Sequence, residues 1–400
     1  MTRKRFGRKE SAVPPFSSAS EVEDSYRKRR DMRGLDGTVA SEDTGIGEMR
    51  DLYPRDGFRA LARLEKRLGG IIGVSPERLL AYPSGMSAVV AAIESAHLTS
   101  GSKILLGQDH YTEIARYVDE HLRPRGIGVV RVDSGNPDEI KGSITARNPD
   151  VILFETVANG TAMPVLDISS LLSYASQKKG SGPLIILDNT LSTPTNIPAS
   201  KLFSNQPARI IVVESGTKAY AMNSETLGIL YTNDKELWTQ LFSSRITVGY
   251  TPSPSSIDKI AKYLPESAWS FDRRNNRIFK NTLRLAEHCL AAARENPNLV
   301  VIHPNLAVHP NTALSNSINP SGVTPVFYIN NGSNQYELVD RLFDHPTIKK
   351  YCKISQSFGF DDTRIYPYYG STYVRLAGGT ESGGKIEEIG QAIYSVLKRQ

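Results

Sequence analysis

Cysteine is scarce in this 400-residue chain, with only Cys289 and Cys352. Two cysteines exclude a disulfide framework and a cysteine-rich metal site. The seven histidines are scattered, none pairing with another at metal-type helical spacing, so no metal is expected. Long apolar runs are missing too: none approaches the roughly 18 residues that a membrane span needs. The segment from Met1 to Lys9 is basic and lacks the apolar stretch of a secretory leader, which sets the expectation of a cytoplasmic protein with no membrane partner. Charge of one sign is weak, at a net +6, and gathers in two N-terminal clusters, Arg3-Lys4-Arg5 with Arg8-Lys9 and Arg27-Lys28-Arg29-Arg30 with Arg33. Aromatic interleaving is sparse there and no recognition fold is visible, so a solvated terminus is expected and no nucleic-acid partner.

What is present describes an ordinary globular chain, 39% hydrophobic and 22% charged, long enough for two or three domains. Residues 1–55 are polar and aperiodic and read as an extended arm. Beyond them, short apolar runs alternate with helical patterns: Lys103-Ile-Leu-Leu, Gly128 to Val132, Val151 to Phe154, Leu184 to Leu187 and Arg209 to Val213. Alternation of this kind argues for an α/β domain with a parallel sheet covered on both faces. Leu61, Leu64 and Leu68 recur at helical spacing, and Gly69-Gly70 is expected to close that helix. The Pro/Ser stretch Thr251 to Ser256 reads as a hinge, dividing a large domain, 56–255, from a smaller C-terminal α+β domain, 256–400.

Two of the apolar runs end in chemistry. One delivers Asp188 and the other Ser215-Gly216-Thr217-Lys218. In an open parallel sheet, ligands bind beyond the strand C-termini, so both clusters are expected to face one site. A lysine amine and a carboxylate at such a rim suit pyridoxal phosphate: the amine forms a Schiff base with the aldehyde, and the carboxylate keeps the pyridine nitrogen protonated. Ser84-Gly85-Met86-Ser87, running into an alanine-rich helix, offers free backbone N–H groups and a positive dipole end for a phosphate.

These motifs, in order from about Tyr53 to the C-terminus, resemble those of the Cys/Met metabolism (trans-sulfuration) family of pyridoxal-phosphate enzymes. The resemblance implies the aspartate-aminotransferase-like fold (fold type I). It implies that Lys218 is the cofactor-bearing lysine, with Asp188, Ser215, Thr217, Gly85, Met86 and Asn159 around the cofactor, and that Tyr111 stacks on its ring and assists catalysis. Tyr53 and Arg55 match a pair that binds the phosphate of a neighbouring subunit, which implies a homodimer or homotetramer with shared sites. Arg375, in Tyr373-Val-Arg375-Leu, matches the arginine that grips the substrate α-carboxylate, for which a guanidinium fork is well suited. Ser357 and Asp362 match positions on the substrate side, and an acid at the latter leans toward γ chemistry.

Departures from the pattern are local. Thr112-Glu113 replaces the pair that usually follows the tyrosine, and Ala219-Tyr220-Ala221-Met222-Asn223-Ser224-Glu225 replaces a glycine- and histidine-bearing run after the lysine. The resemblance implies γ-replacement on an amino acid with a γ leaving group, with a small nucleophile as second substrate. The alternatives are a β- or γ-lyase, an aminotransferase of the same general fold, and a regulatory or nucleic-acid-binding member acting through its basic arm.

Overall fold

A computed structural model describes residues 57–176, 182–203, 208–368 and 370–398. The expected arm, 1–55, with Tyr53 and Arg55, lies outside the described residues. Seven strands build the larger sheet: β1 (Leu79–Tyr82), β2 (Lys103–Gly107), β3 (Gly128–Val132), β4 (Val151–Glu155), β5 (Leu184–Asp188), β6 (Ile210–Ser215) and β7 (Gly228–Thr232), in the order β1-β7-β6-β5-β4-β2-β3. All neighbours are parallel except β7, which runs antiparallel to both β6 and β1. Parallel strands need helical crossovers, and these cover both faces.

The continuous apolar runs follow from that covering. Ile152, Phe154, Ile185 and Leu187 point into the core shared with α1 (Arg59–Ile72), while Val151, Leu153, Leu184 and Ile186 point into the opposite core, under α2 (Gly85–Glu94). Each residue is thus buried whichever way it faces, and truncating one, as in Ile186→Ala, costs about 2–5 kcal/mol. The helix expected to close at Gly69-Gly70 continues to Ile72 and ends at Gly73, whose φ of 82° supplies the left-handed cap.

The smaller sheet joins β8 (Val300–Ile302), β9 (Phe327–Asn330), β10 (Lys353–Ile354), β11 (Arg364–Pro367) and β12 (Val374–Ala377) in the order β10-β11-β12-β9-β8. Only β10 and β11 are parallel. The expected hinge has a different use: Ser253 caps the helix Pro254–Tyr263, whose Ile257 and Ile260 pack into the large core. A 26-residue helix, Ala268–Ala293, then carries Phe271 in the large core and Leu285, Ala286 and Cys289 in the core of the small sheet. This helix thus serves both cores. Among the described residues, no helix is long and apolar enough to cross a membrane.

Candidate active site

The crevice lies where β1, β2, β4, β5 and β6 end. Asp188 closes β5 and Ser215 closes β6, after which a single helical turn, Gly216–Ala219, carries Lys218. Ser84 begins α2 with a reciprocal capping box: its hydroxyl accepts from the Ser87 N–H at 3.1 Å while Ser87 Oγ accepts from the Ser84 N–H at 2.9 Å. A helix start has no intrahelical partners for its first N–H groups; the cap takes that of Ser87, and those of Gly85 and Met86 belong to the same first turn. Gly85 lies close to Ser215: a Cβ there would lie 3.2 Å from Ser215 Cα, a tight contact that glycine avoids. That close approach sets the phosphate-type donors beside the strand that leads to Lys218.

Lys218 Nζ lies 3.5 Å from Ser357 Oγ and 4.8 Å above the Phe358 ring. Burial, reinforced by the positive charge of Arg375 and opposed by Asp188, brings its pKa down to about 8. Asp188 shows the converse shift. Burial, with the charge of Glu155, pushes its carboxyl up to about 6, against the hydrogen bonding of Thr190 and the charge of His110. The Thr190 N–H donates to Asp188 Oδ1 at 2.9 Å, and Thr190 Oγ1 accepts from the Ser215 N–H at 2.8 Å, linking the two strand ends. Thr217 Oγ1 is engaged in the turn, accepting from the Leu227 N–H at 2.9 Å.

The small domain completes the wall. Arg375 is buried on β12, opposite Tyr328 on β9 and Tyr366 on β11, its guanidinium 5.2 Å from the Tyr368 ring centre and 6.0 Å from that of Phe358. Tyr328 and Tyr368 donate their hydroxyls to the Asn159 carbonyl at 3.3 and 3.1 Å. Tyr111 is 41% exposed and within the electrostatic reach of Arg375, and its partial burial, with the charge of Glu113, raises its phenol pKa, so it is a neutral acid near neutral pH.

The structure thus gathers Lys218, Asp188, Ser215, Thr217, Gly85, Tyr111, Asn159, Ser357 and Arg375 at one crevice, with Met86 at its helical edge. It does not bring Asp362 there. That carboxylate is held at 2.7 Å by Lys353 and 3.6 Å by Arg364, cations on β10 and β11 that draw it to an exposed edge.

Several participants had no signal in the sequence. Met222 and Asn223 take left-handed φ of 48° and 60°, which turns Asn223 back to accept from Ser357 Oγ and to donate to the Phe358 carbonyl at 2.9 Å. Asparagine tolerates that conformation better than most residues, the one hint available beforehand. Beneath the lysine turn, buried Glu214 accepts from the Tyr220 and Tyr231 hydroxyls, each at 2.7 Å. Burial pushes its carboxyl up to about 8.

The donors and charges fit pyridoxal phosphate: N–H groups at a helix start, a buried amine with no carboxylate ion pair among the described residues, a deep carboxyl on the neighbouring strand, and an exposed aromatic face. Comparison with known proteins agrees. The chain is 30% identical over 204 residues to the chloroplastic mimosinase of Leucaena leucocephala, covering 50% of this chain and 43% of that protein. It is 31% identical over 198 residues to the cystathionine β-lyase MetC of Bacillus subtilis, covering 49% and 47%. These matches span about half the length of those relatives. The solved structure of metB from Corynebacterium glutamicum shares the fold, with a TM-score of 0.69 at 21% identity over 91% of each chain. The profile of the Cys/Met metabolism PLP-dependent enzymes matches residues 38–366, and the chain belongs to that family of pyridoxal-phosphate-dependent enzymes.

Proposed function

We propose that this chain is a lyase that removes the α-proton of an amino acid and expels a substituent from its β-carbon. The observation that carries the proposal is the state of Lys218: an amine with a pKa of about 8, buried beside the Arg375 guanidinium. Near neutral pH a useful share of it is unprotonated, as a base for a Cα proton requires.

Gly85 and Met86 N–H groups, with Ser215 and Thr217, would hold the phosphate of pyridoxal phosphate; Asp188 would pair with its ring nitrogen, Asn159 with its ring oxygen, and Tyr111 with its ring face. The bound cofactor supplies an electron sink that acidifies the Cα–H bond. Arg375 would grip the substrate carboxylate through both prongs of its fork, its own position fixed by the rings of Tyr368 and Phe358. Lys218 Nζ takes the Cα proton, and Ser357 Oγ, steadied by Asn223, holds that amine in line. Tyr111, protonated and exposed, donates to the departing heteroatom. One proton removed and one given balance an elimination, and the released unsaturated amino acid hydrolyses to a 2-oxo acid and ammonia. Tyr53 and Arg55 would serve the phosphate of a neighbouring subunit, so the working form is a homo-oligomer.

The acid at position 362, which leans toward γ-replacement, is paired with Lys353 and Arg364, and this weakens that one sign of γ chemistry. Relatives that act as lyases, among them the cystathionine β-lyase, favour elimination. The test is product analysis with cystathionine, S-alkyl cysteines and O-acyl homoserines, each with and without a thiol. Pyruvate and ammonia from the β-substituted compounds are expected. A thioether formed from an O-acyl homoserine and the thiol, without pyruvate from the others, would reverse the assignment to γ-replacement.

A further inference from the structure

Behind the crevice lies a titratable group that the mechanism above leaves unused. The His110 side chain is 1% exposed, and its ring rests against Gly107 at the end of β2, where a Cβ would stand 3.2 Å from His110 Cδ2. Its Nε2 is 2.9 Å from the Leu153 carbonyl oxygen. A carbonyl can only accept, so Nε2 carries a proton. Its Nδ1 is 3.5 Å from Glu155 Oε1. That carboxylate already accepts from two backbone donors, the Tyr111 N–H on Oε1 at 2.8 Å and the Asn159 N–H on Oε2. A bare Nδ1 lone pair would be repelled by a carboxylate oxygen at that distance, and Nδ1 has no other hydrogen-bond partner among the described residues. A proton on Nδ1 as well as on Nε2 would turn that contact into an attraction. Glu155 sits opposite Asp188 in the β4–β5 register, so two carboxylates end adjacent strands at one level.

We propose that His110 is held as an imidazolium beside Glu155 and Asp188, a positioning residue that keeps Asp188 ionised for the ring nitrogen of the cofactor. The proposal rests on Asp188 being the ring-nitrogen partner. Burial alone would drive the imidazole neutral, but the hydrogen bond and charge of Glu155, with the Leu153 carbonyl and the Asp188 charge, hold its pKa above the ordinary value. The surrounding elements bring further acids: Asp109, whose own pKa is raised by burial with the charges of Asp133 and Glu155 adding to it, lies next to His110 in the chain. Glu155, in turn, fixes the backbone of Tyr111 and of Asn159, so one cluster sets the charge and the placement of three groups at the crevice.

The test uses the full-length protein, first without cofactor. Nitrogen-15 NMR, with His110 assigned by its loss in His110→Gln, is expected to show two protonated ring nitrogens at neutral pH; a neutral tautomer overturns the proposal. The second arm measures pyridoxal phosphate binding. His110→Gln keeps an N–H for the Leu153 carbonyl but not the charge; a rise of about one unit in the Asp188 pKa from about 6 is expected to weaken binding about twofold at pH 7 and about tenfold at pH 5. The loss should shrink as pH rises and Asp188 ionises unaided, which a packing defect would not do; a loss independent of pH overturns the link. Adding His110→Gln to Asp188→Asn should cost nothing more, and additive losses would overturn it. If the wild type fails to bind the cofactor, the functional reading falls, while the NMR result still decides the charge on His110.

Discussion

Replacing Lys218 by methionine should stabilise the cofactor-free protein. The wild-type amine titrates at about 8 when folded, against 10.5 for an exposed lysine. Below pH 8 both folded and unfolded chains carry the proton, and folding bears the full cost of burying the charge, about 3 kcal/mol at 1.36 kcal/mol per unit. Between 8 and 10.5 the unfolded chain binds the extra proton, so wild-type stability rises with pH; above 10.5 neither chain carries it and the cost is gone. Methionine is uncharged throughout and close in length, and loses the contact with the Phe358 ring, worth about 0.5–1 kcal/mol. The variant should therefore be about 2 kcal/mol more stable at neutral pH, with the gain falling away as pH approaches the exposed-lysine value. Urea unfolding of both proteins across that pH range measures the difference. A variant less stable at neutral pH, or a difference that does not change with pH, would refute the placement of a buried, destabilised amine at this position.

Other substitutions probe the walls. Arg375→Lys keeps the charge but loses the fork, and should raise KM about 10–100-fold with little change in kcat, corresponding to a charge-assisted hydrogen bond of about 1.5–3 kcal/mol; steady-state kinetics decides, and a fall in kcat alone would point to a role in the chemical step. Gly85→Ala places a Cβ 3.1 Å from that of Ser215, so the helix start must retreat and pyridoxal phosphate should bind more weakly, with about 1–3 kcal/mol of stability lost, as equilibrium dialysis and thermal unfolding would show. Glu214→Ala strands the hydroxyls of Tyr220 and Tyr231 and should destabilise the protein by about 1–3 kcal/mol for each; an unchanged unfolding midpoint would contradict that network. Asp362→Asn should leave product identity unchanged, since the carboxylate is tied to Lys353 and Arg364.

Much of this arrangement is legible in the chain itself, for a physical reason. A strand buried on both faces must be apolar throughout, so β4, β5 and β6 stand out as runs, and the polar residue that ends each run is where a crevice begins; Asp188 and Lys218 are found that way. Gly85 is readable because a close approach favours glycine. The missed groups depend on contacts that no local pattern encodes. Asp362 follows the motif in sequence, yet the pairing of β10 with β11 supplies two cations that claim it. Asn223 acts through a left-handed turn, and His110 through strands that meet it from elsewhere in the chain. The Pro/Ser stretch also supplies a helix cap, Ser253, and the helix after it spans both cores, a feature that no local sequence pattern marks.

The central claim is that Lys218 carries the cofactor. Incubating the protein with pyridoxal phosphate, fixing the linkage with borohydride and mapping the modified peptide by mass spectrometry tests it directly. The account predicts a pyridoxyl group on Lys218 and none on the Lys218→Ala variant; a stoichiometric adduct on another lysine, or no adduct on the wild type, would contradict it.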